Sequence, residues 1–321
     1  MPTQKPSRAA ASKSKQPPAQ SSFSKAMQEM QQQPATAFPN ISARWLLSAA
    51  GVVVLLALAC AWLTLCLLFW QGSWQLLYHP KAAITRTPAS VGLSYETIHF
   101  ATTETGTPQL TGWWLPAADS GKTITGKTVL LLHGADGNLG DTVDTLAALH
   151  RQNLSVFAFD YRSFGQSLPA RPSEEHLRQD AESALSYLTQ TRHIELNSIV
   201  LYGTGLGANL AAELAASHNA LAGAILAQPQ ADPVASIFSD SRSKLVPAHW
   251  IVSDRYDLTQ ASQSLKVPSL WLIAQPTDGR PPVIPQAYET VASHKTAATL
   301  RVPFETDPNY TLELKRWLDD L

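Results

Sequence analysis

Residues 199–210 read IVLYGTGLGANL, and the fold turns on how this stretch is read. Ile199–Tyr202 is a short apolar run of the kind that forms a buried strand. Gly203-Thr204-Gly205-Leu206-Gly207 follows at once, and beyond it lies a segment rich in alanine and leucine, both good helix formers. A strand that runs through alternate glycines straight into a helix makes a turn too tight for side chains at the flanking positions. Turns of this kind, in the pattern G-x-S-x-G, lift their middle residue to the top of a sheet at the positive end of the next helix. Here Gly203 and Gly207 hold the flanking positions. The middle residue is Gly205, which has no hydroxyl.

The same letters, Gly203-x-Gly205-x-x-Ala208, also satisfy a dinucleotide-binding fingerprint. That reading is set aside on two observations. The pattern comes late, after several β/α units, and the next strand, Ala224–Ala227, ends in Gln228 with no acid to hold a ribose. Gly134-Ala135-Asp136-Gly137-Asn138-Leu139-Gly140 is glycine-rich but lacks the G-K-[ST] of a phosphate-binding loop.

Working outward, residues 80–321 alternate strand-like and helix-like segments. Tyr95–Phe100 and Leu110–Leu115 predict a hairpin around a TETG turn. Strands are expected at Val129–Leu132, Ser155–Phe159, Ser198–Tyr202, Leu221–Ala227, Ser269–Ala274 and Thr299–Pro303. Helices are expected near Thr142–Gln152 and over Ser173–Thr189, Leu206–His218, Pro285–His294 and Tyr310–Leu321. This alternation predicts a mostly parallel sheet with helices on both faces. Residues 230–266 are polar and irregular and fit a short cap over the carboxyl edge of the sheet. No internal repeat is present.

The rest of the chain is of a different kind. Residues 1–44 carry six basic residues, Lys5, Arg8, Lys13, Lys15, Lys25 and Arg44, against the single acid Glu29. Gln, Pro, Ser and Ala dominate residues 1–40, too little apolar surface to offset ordering entropy, so a disordered basic tail is expected there. Trp45–Trp70 is uncharged throughout and shows no polar stripe. A run of that length, with tryptophans partly clustered at its ends, predicts a single-pass transmembrane helix over 45–70. A cleaved signal peptide fits less well, because the polar stretch before the run is too long. The basic residues on the N-terminal side place the N-terminus inside and the globular domain, 75–321, outside. Counted only near the two ends of the span, the basic residues show no bias.

Only 15% of residues are charged and the net charge is −1. A low charge content fits a chain that partly avoids water, and nothing favours a nucleic-acid partner. The two cysteines, Cys60 and Cys66, both lie in the apolar run, which excludes a disulfide scaffold. The nine histidines show no metal-ligand spacing, so no metal site and no cofactor are expected.

From about residue 75 to the end, the chain resembles the α/β-hydrolase superfamily, in particular its membrane-anchored esterase- and lipase-like branch. His133-Gly134-Ala135 follows the third strand, where the family places an oxyanion-hole amide. Asp160-Tyr161-Arg162-Ser163-Phe164-Gly165-Gln166-Ser167 is similar to the family segment D-Y-R-G-x-G-x-S, with Ser163 in place of its first glycine. Asp254-Arg255-Tyr256-Asp257 precedes VPSLWLIAQPTDG, which looks like the strand that delivers the triad acid, with Asp278 at the acid position. The resemblance therefore implies an α/β-hydrolase fold.

Two departures bear on activity. The family's serine attacks an acyl carbon, a histidine takes its proton and an acid orients the histidine. Gly205 stands in the serine's place, and the loop after the last strand, residues 304–309, contains no histidine. The last histidine in the chain, His294, precedes that strand. Thr204 has a hydroxyl, but one position early, and is expected to face away. His133 and Asp160 read as loop-shaping residues. What the resemblance leaves is the backbone: the amides of Leu206 and of Ala135 or a neighbour, framed by Gly203 and Gly207, are able to hold an anionic or carbonyl oxygen. Two expectations follow. One is a membrane-tethered, inactive or nearly inactive homologue that binds an acyl or lipid-like molecule or a protein partner. The other is an active esterase or lipase with a nucleophile that does not fit the pattern.

Overall fold

The computed structural model describes residues 21–31, 42–118 and 126–321. Eight strands form one sheet: β1 (Glu96–Thr102), β2 (Pro108–Leu115), β3 (Thr128–Leu132), β4 (Ser155–Asp160), β5 (Ile199–Thr204), β6 (Gly223–Ala227), β7 (Ser269–Ala274) and β8 (Lys295–Leu300). Their order across the sheet is β1-β2-β4-β3-β5-β6-β7-β8. β2 pairs antiparallel with both β1 and β4, and every later pairing is parallel. Parallel strands need crossovers, and the crossovers put helices on both faces.

That arrangement explains the near-continuous apolar runs. All five residues of β3 are buried. Leu130 and Leu132 point into one core with Phe157, Phe159, Leu201 and Leu226. Val129 and Leu131 point into the other with Val156, Ala158, Val200 and Ile225. The first core is closed by α4 (Glu174–Ser186) and α5 (Leu206–Ser217), through Leu177, Ala181, Leu206, Leu210 and Leu214. The second is closed by α3 (Val143–His150) and α10 (Tyr310–Asp319), through Leu146, Leu149, Leu314 and Trp317. The Ser173 side chain accepts from the His176 amide and caps α4.

The expected hairpin, the five strands from β3 to β7 and the α3, α4, α5 and α10 helices form within a few residues of their expected bounds. The segment after β7 differs. Only α9 (Gln286–Thr290) is helical there, not Pro285–His294, and the last strand is Lys295–Leu300, not Thr299–Pro303. Proline residues bracket this stretch, and Lys295–Leu300 gains a full parallel ladder with β7, which outweighs local preference. Residues 230–266 hold α6 (Ala235–Ser239), α7 (Ala248–Ile251) and α8 (Leu258–Ser264), with a 3-10 turn over Ser241–Leu245.

Two helices lie nearer the N-terminus. α1 (Ser21–Gln31) is helical where an irregular tail is expected; Ala26, Met27, Gln28, Glu29 and Met30 are good helix formers. The remaining tail residues, 1–20 and 32–41, lie outside the described residues. α2 (Ala43–Gly72) covers the apolar run in 30 residues without a break. With the turn that follows, residues Ala43–Leu76 are long and apolar enough to cross a membrane.

Candidate functional site

The site begins at the end of β5. Gly205 has φ 55° and ψ −120°, a left-handed conformation that L side chains rarely adopt. Its amide donates to the Ala227 carbonyl at 2.8 Å, which ties the turn to the end of β6. The flanking glycines are glycines because backbone fills the space where side chains would be. A Cβ on Gly203 would fall 2.2 Å from the Gly207 carbonyl oxygen, and one on Gly207 would fall 2.2 Å from that of Leu132 and 2.4 Å from that of His133. Gly205 is the open member of the three. Among the described residues beyond its chain neighbours, a Cβ there would meet only Gln230 Nε2, at 3.7 Å.

The same contacts bring the loop after β3 alongside the elbow. Leu132 pairs in register with Gly203, and a Cβ on Gly134 would lie 3.4 Å from the Thr204 carbonyl oxygen. Gly134 and Ala135 therefore flank the N-terminus of α5, which starts at Leu206. The neighbouring residues of the loop are held from outside. The His79 amide donates to the Ala135 carbonyl at 2.9 Å, and His79 Nδ1 meets Asp136 Oδ1 at 2.7 Å. Asn209, one turn into α5, exchanges two hydrogen bonds with the backbone of Gln230 and donates a third to the Tyr256 carbonyl. Asn209 and Gln230 are missed when the sequence is read alone. The only signal is a buried amide in an otherwise Ala/Leu helix face.

Behind the loop sits a buried pair. His133 donates from Nδ1 to the Gly134 carbonyl at 2.8 Å, and its Nε2 faces Asp160 Oδ1 at 3.6 Å. Both residues are almost fully enclosed. Burial pushes the imidazole down to about 4 and the Asp160 carboxyl up to about 7, so both are neutral over the range between. Asp160 Oδ1 also accepts from the Leu139 amide, which shapes the glycine-rich loop. Arg162 binds the buried Asp180 through its backbone amide at 2.8 Å and through Nε at 2.6 Å. Ser163, at the first glycine of that family segment, has φ 75° and bonds the Ala170 backbone through its hydroxyl.

Asp278, Asp307 and His294 are engaged away from the elbow. Asp278 follows β7, two strands from the elbow in the sheet order. It lies in an exposed turn, where Arg280 Nε donates to it at 2.6 Å. The loop after β8 is held by Asp307, which accepts from the amides of Arg301 and Asn309 at 2.8 Å each. Those two bonds hold its carboxyl below the usual range. His294 is exposed and precedes β8. Among the described residues, no cluster of histidine, cysteine and acidic side chains could hold a metal ion. A cavity of about 370 Å³ lined by Glu174, Asn209, Glu213, Arg255, Tyr256 and Gln260 shares Asn209 with the elbow but none of residues 203–207.

Comparison with known proteins supports the fold. Residues 124–275 match the family model described as serine aminopeptidase, S33. Rv2307c of Mycobacterium tuberculosis H37Rv is 33% identical over 146 residues, which is 46% of this chain and 50% of that protein. YfhR of Salmonella typhimurium LT2 is 36% identical over 123 residues, 38% of this chain and 40% of that protein. The chain thus matches half or less of the length of these relatives. Among solved structures, the esterase Pf2001 of Pyrococcus furiosus superposes with a TM-score of 0.56 at 16% identity, covering 76% of this chain and 97% of the esterase. An α/β-hydrolase of Vibrio vulnificus gives 0.52 at 21% identity, covering 72% of this chain and 81% of the other. Sheet order, elbow and these likenesses together show that the chain has the α/β-hydrolase fold.

Proposed function

We propose that this chain is a membrane-tethered α/β-hydrolase homologue that binds an acyl or carboxylate group without turning it over. The observation that carries the reading is Gly205: the elbow keeps the strained backbone that presents a nucleophile, yet presents none. The reading takes the amides of Leu206 and Ala135 as the oxygen-binding donors; the approach of Gly134 to the Thr204 carbonyl and of Gly207 to Leu132, which brings the loop after β3 to the start of α5, supports it. A carboxylate or ester oxygen is the natural occupant of such a point. The engagement of Asp278 with Arg280 and of Asp307 with backbone amides supports the lack of turnover. The apolar helix Ala43–Leu76 supports the tether, and the basic tail before it favours an N-terminus on the cytoplasmic side.

The test uses the full chain in detergent micelles. Medium-chain fatty acids should raise its melting temperature, and a fluorophosphonate probe should leave it unlabelled. Labelling of any side chain near the elbow would replace this reading with that of a working esterase. No shift with any acyl ligand would leave the binding half without support.

A further inference from the structure

The C-terminal part of the apolar helix and the segment after α6 present one continuous apolar surface. From Trp62 onward the helix buries a single stripe, Leu65, Cys66, Phe69 and Ser73, in the domain core. Its opposite face, Leu63, Leu67, Leu68 and Trp70, stays exposed. The Trp62 indole N–H donates to the Leu245 carbonyl at 3.2 Å. Leu245 is itself 61% exposed, and Trp250, five residues on, is 91% exposed. A tryptophan this bare in a folded domain has its largest apolar surface in the solvent phase. Between helix and segment lies a cavity of about 260 Å³ lined by Leu65, Leu68, Phe69, Leu76 and Arg242.

Helix geometry says what covers this surface. Ala43 to Trp62 is one unbroken helical run, and at 1.5 Å per residue it measures about 30 Å, the thickness of a bilayer's hydrocarbon core. Its limit therefore falls at Trp62, a residue type that favours the lipid–water boundary. The hydrogen bond to Leu245 holds the neighbouring segment at that depth. Basic groups lie near the helix end and the segment. Arg242 lines the cavity, Lys244 and His249 flank Leu245 and Trp250, and the Arg171 guanidinium lies 4.5 Å over the Trp70 ring. Apolar tips among cationic side chains are the composition of an interfacial segment.

We propose that residues 245–251 lie in the headgroup–acyl boundary of the bilayer that the helix enters, with Leu245 and Trp250 as the inserted side chains. The span is then 43–62, and residues 63–76 pack on the domain at the membrane surface. This rests on the membrane reading above. It adds that the cap segment itself touches lipid.

The full chain, with Cys60→Ala and Cys66→Ala, is reconstituted in phosphatidylcholine–phosphatidylglycerol vesicles. Single cysteines are introduced by Val52→Cys, Leu245→Cys, Trp250→Cys or Leu312→Cys and labelled with an environment-sensitive fluorophore. Lipids carrying a doxyl quencher near the headgroup or near the chain end read depth. Labels at 245 and 250 should lose most of their emission to the shallow quencher, the label at 52 to the deep one, and the label at 312, on exposed α10, to neither. Deep quenching at 52 with none at 245 and 250 overturns this inference and leaves the tether standing. Absence of quenching at 52 overturns both. Equal quenching at 312 and 245 also overturns it, because contact with lipid would then not be specific to this segment.

Discussion

The side-chain amide of Gln230 stands 3.7 Å from the point where Gly205 would carry a Cβ. Beyond its own chain neighbours, nothing else among the described residues lies within 4 Å of that point. The seat is therefore open to a larger residue sterically, and only the positive φ opposes one. Gly205→Ser should fold, with a loss of about 1–2 kcal/mol from the left-handed backbone. It should hydrolyse no ester above background, because residues 301–309, after the last strand, offer no histidine to take the hydroxyl proton. Thermal denaturation and an ester assay check the two halves, and turnover by the variant would show that a base is at hand after all.

The flanking glycines behave in the opposite way. At Gly203 and Gly207 a methyl group would overlap backbone oxygen atoms that sit in the sheet and in α5. Neither can swing aside as a side chain would. Gly203→Ala and Gly207→Ala should each cost about 3 kcal/mol or more, at the top of the range for overpacking. Expression yield and urea unfolding should rank both well below Gly205→Ser. A Gly207→Ala variant as stable as the parent would contradict the close approach of α5 to β3.

The buried His133–Asp160 pair has a pH signature. Burial holds His133 at about 4, below its ordinary 6.5. The folded chain is thus short of a proton in that window and loses stability as pH falls through it. Burial lifts Asp160 from 3.8 to about 7, so its contribution is full below 3.8 and is lost as pH rises toward 7. Between about pH 4 and 6.5 the two slopes oppose and nearly cancel. Asp160→Asn removes one of them. The variant should lose about 1.4 kcal/mol of stability per unit of acidification across that window, while the parent changes little. Identical profiles for the two proteins would refute the assignment of both groups as neutral.

Arg162 and Asp180 make a second test of packing. The Asp180 carboxylate is buried and accepts from both the guanidinium and the amide of Arg162, which also reaches the His176 carbonyl. Arg162→Ala leaves that carboxyl with a single donor in a poorly solvated place. A loss of about 3 kcal/mol is expected, most of it the cost of an unpaired buried charge. Asp180→Asn in the same background should recover part of it. If the double variant is no more stable than Arg162→Ala, the charge is not the cause.

Much of this was readable from the residues in order, for a local reason. Three alternate glycines between an apolar run and a helical run restrict the backbone within a few residues, so residues 203–207 announce a strand-to-helix elbow without reference to anything distant. The 26 uncharged positions from Trp45 to Trp70 likewise predict a long apolar helix, since hydropathy acts residue by residue. Errors fell where a ladder overrode local preference, as at β8, whose pairing with Ser269–Ala274 shifts it toward the N-terminus.

The chain's order of residues settled that Gly205 has no side chain to offer and that the loop after the last strand has no histidine, because chemistry of that kind is a matter of identity alone. Only the folded form decided that Gln230 is the neighbour of the vacant position, that Asn209 pins it there, and that Trp62 meets Leu245. Those pairs are separated by 21 residues in one case and 183 in the other. Contacts at such separations arise from how the crossovers stack and how the cap turns back, and no short-range preference of either partner encodes them.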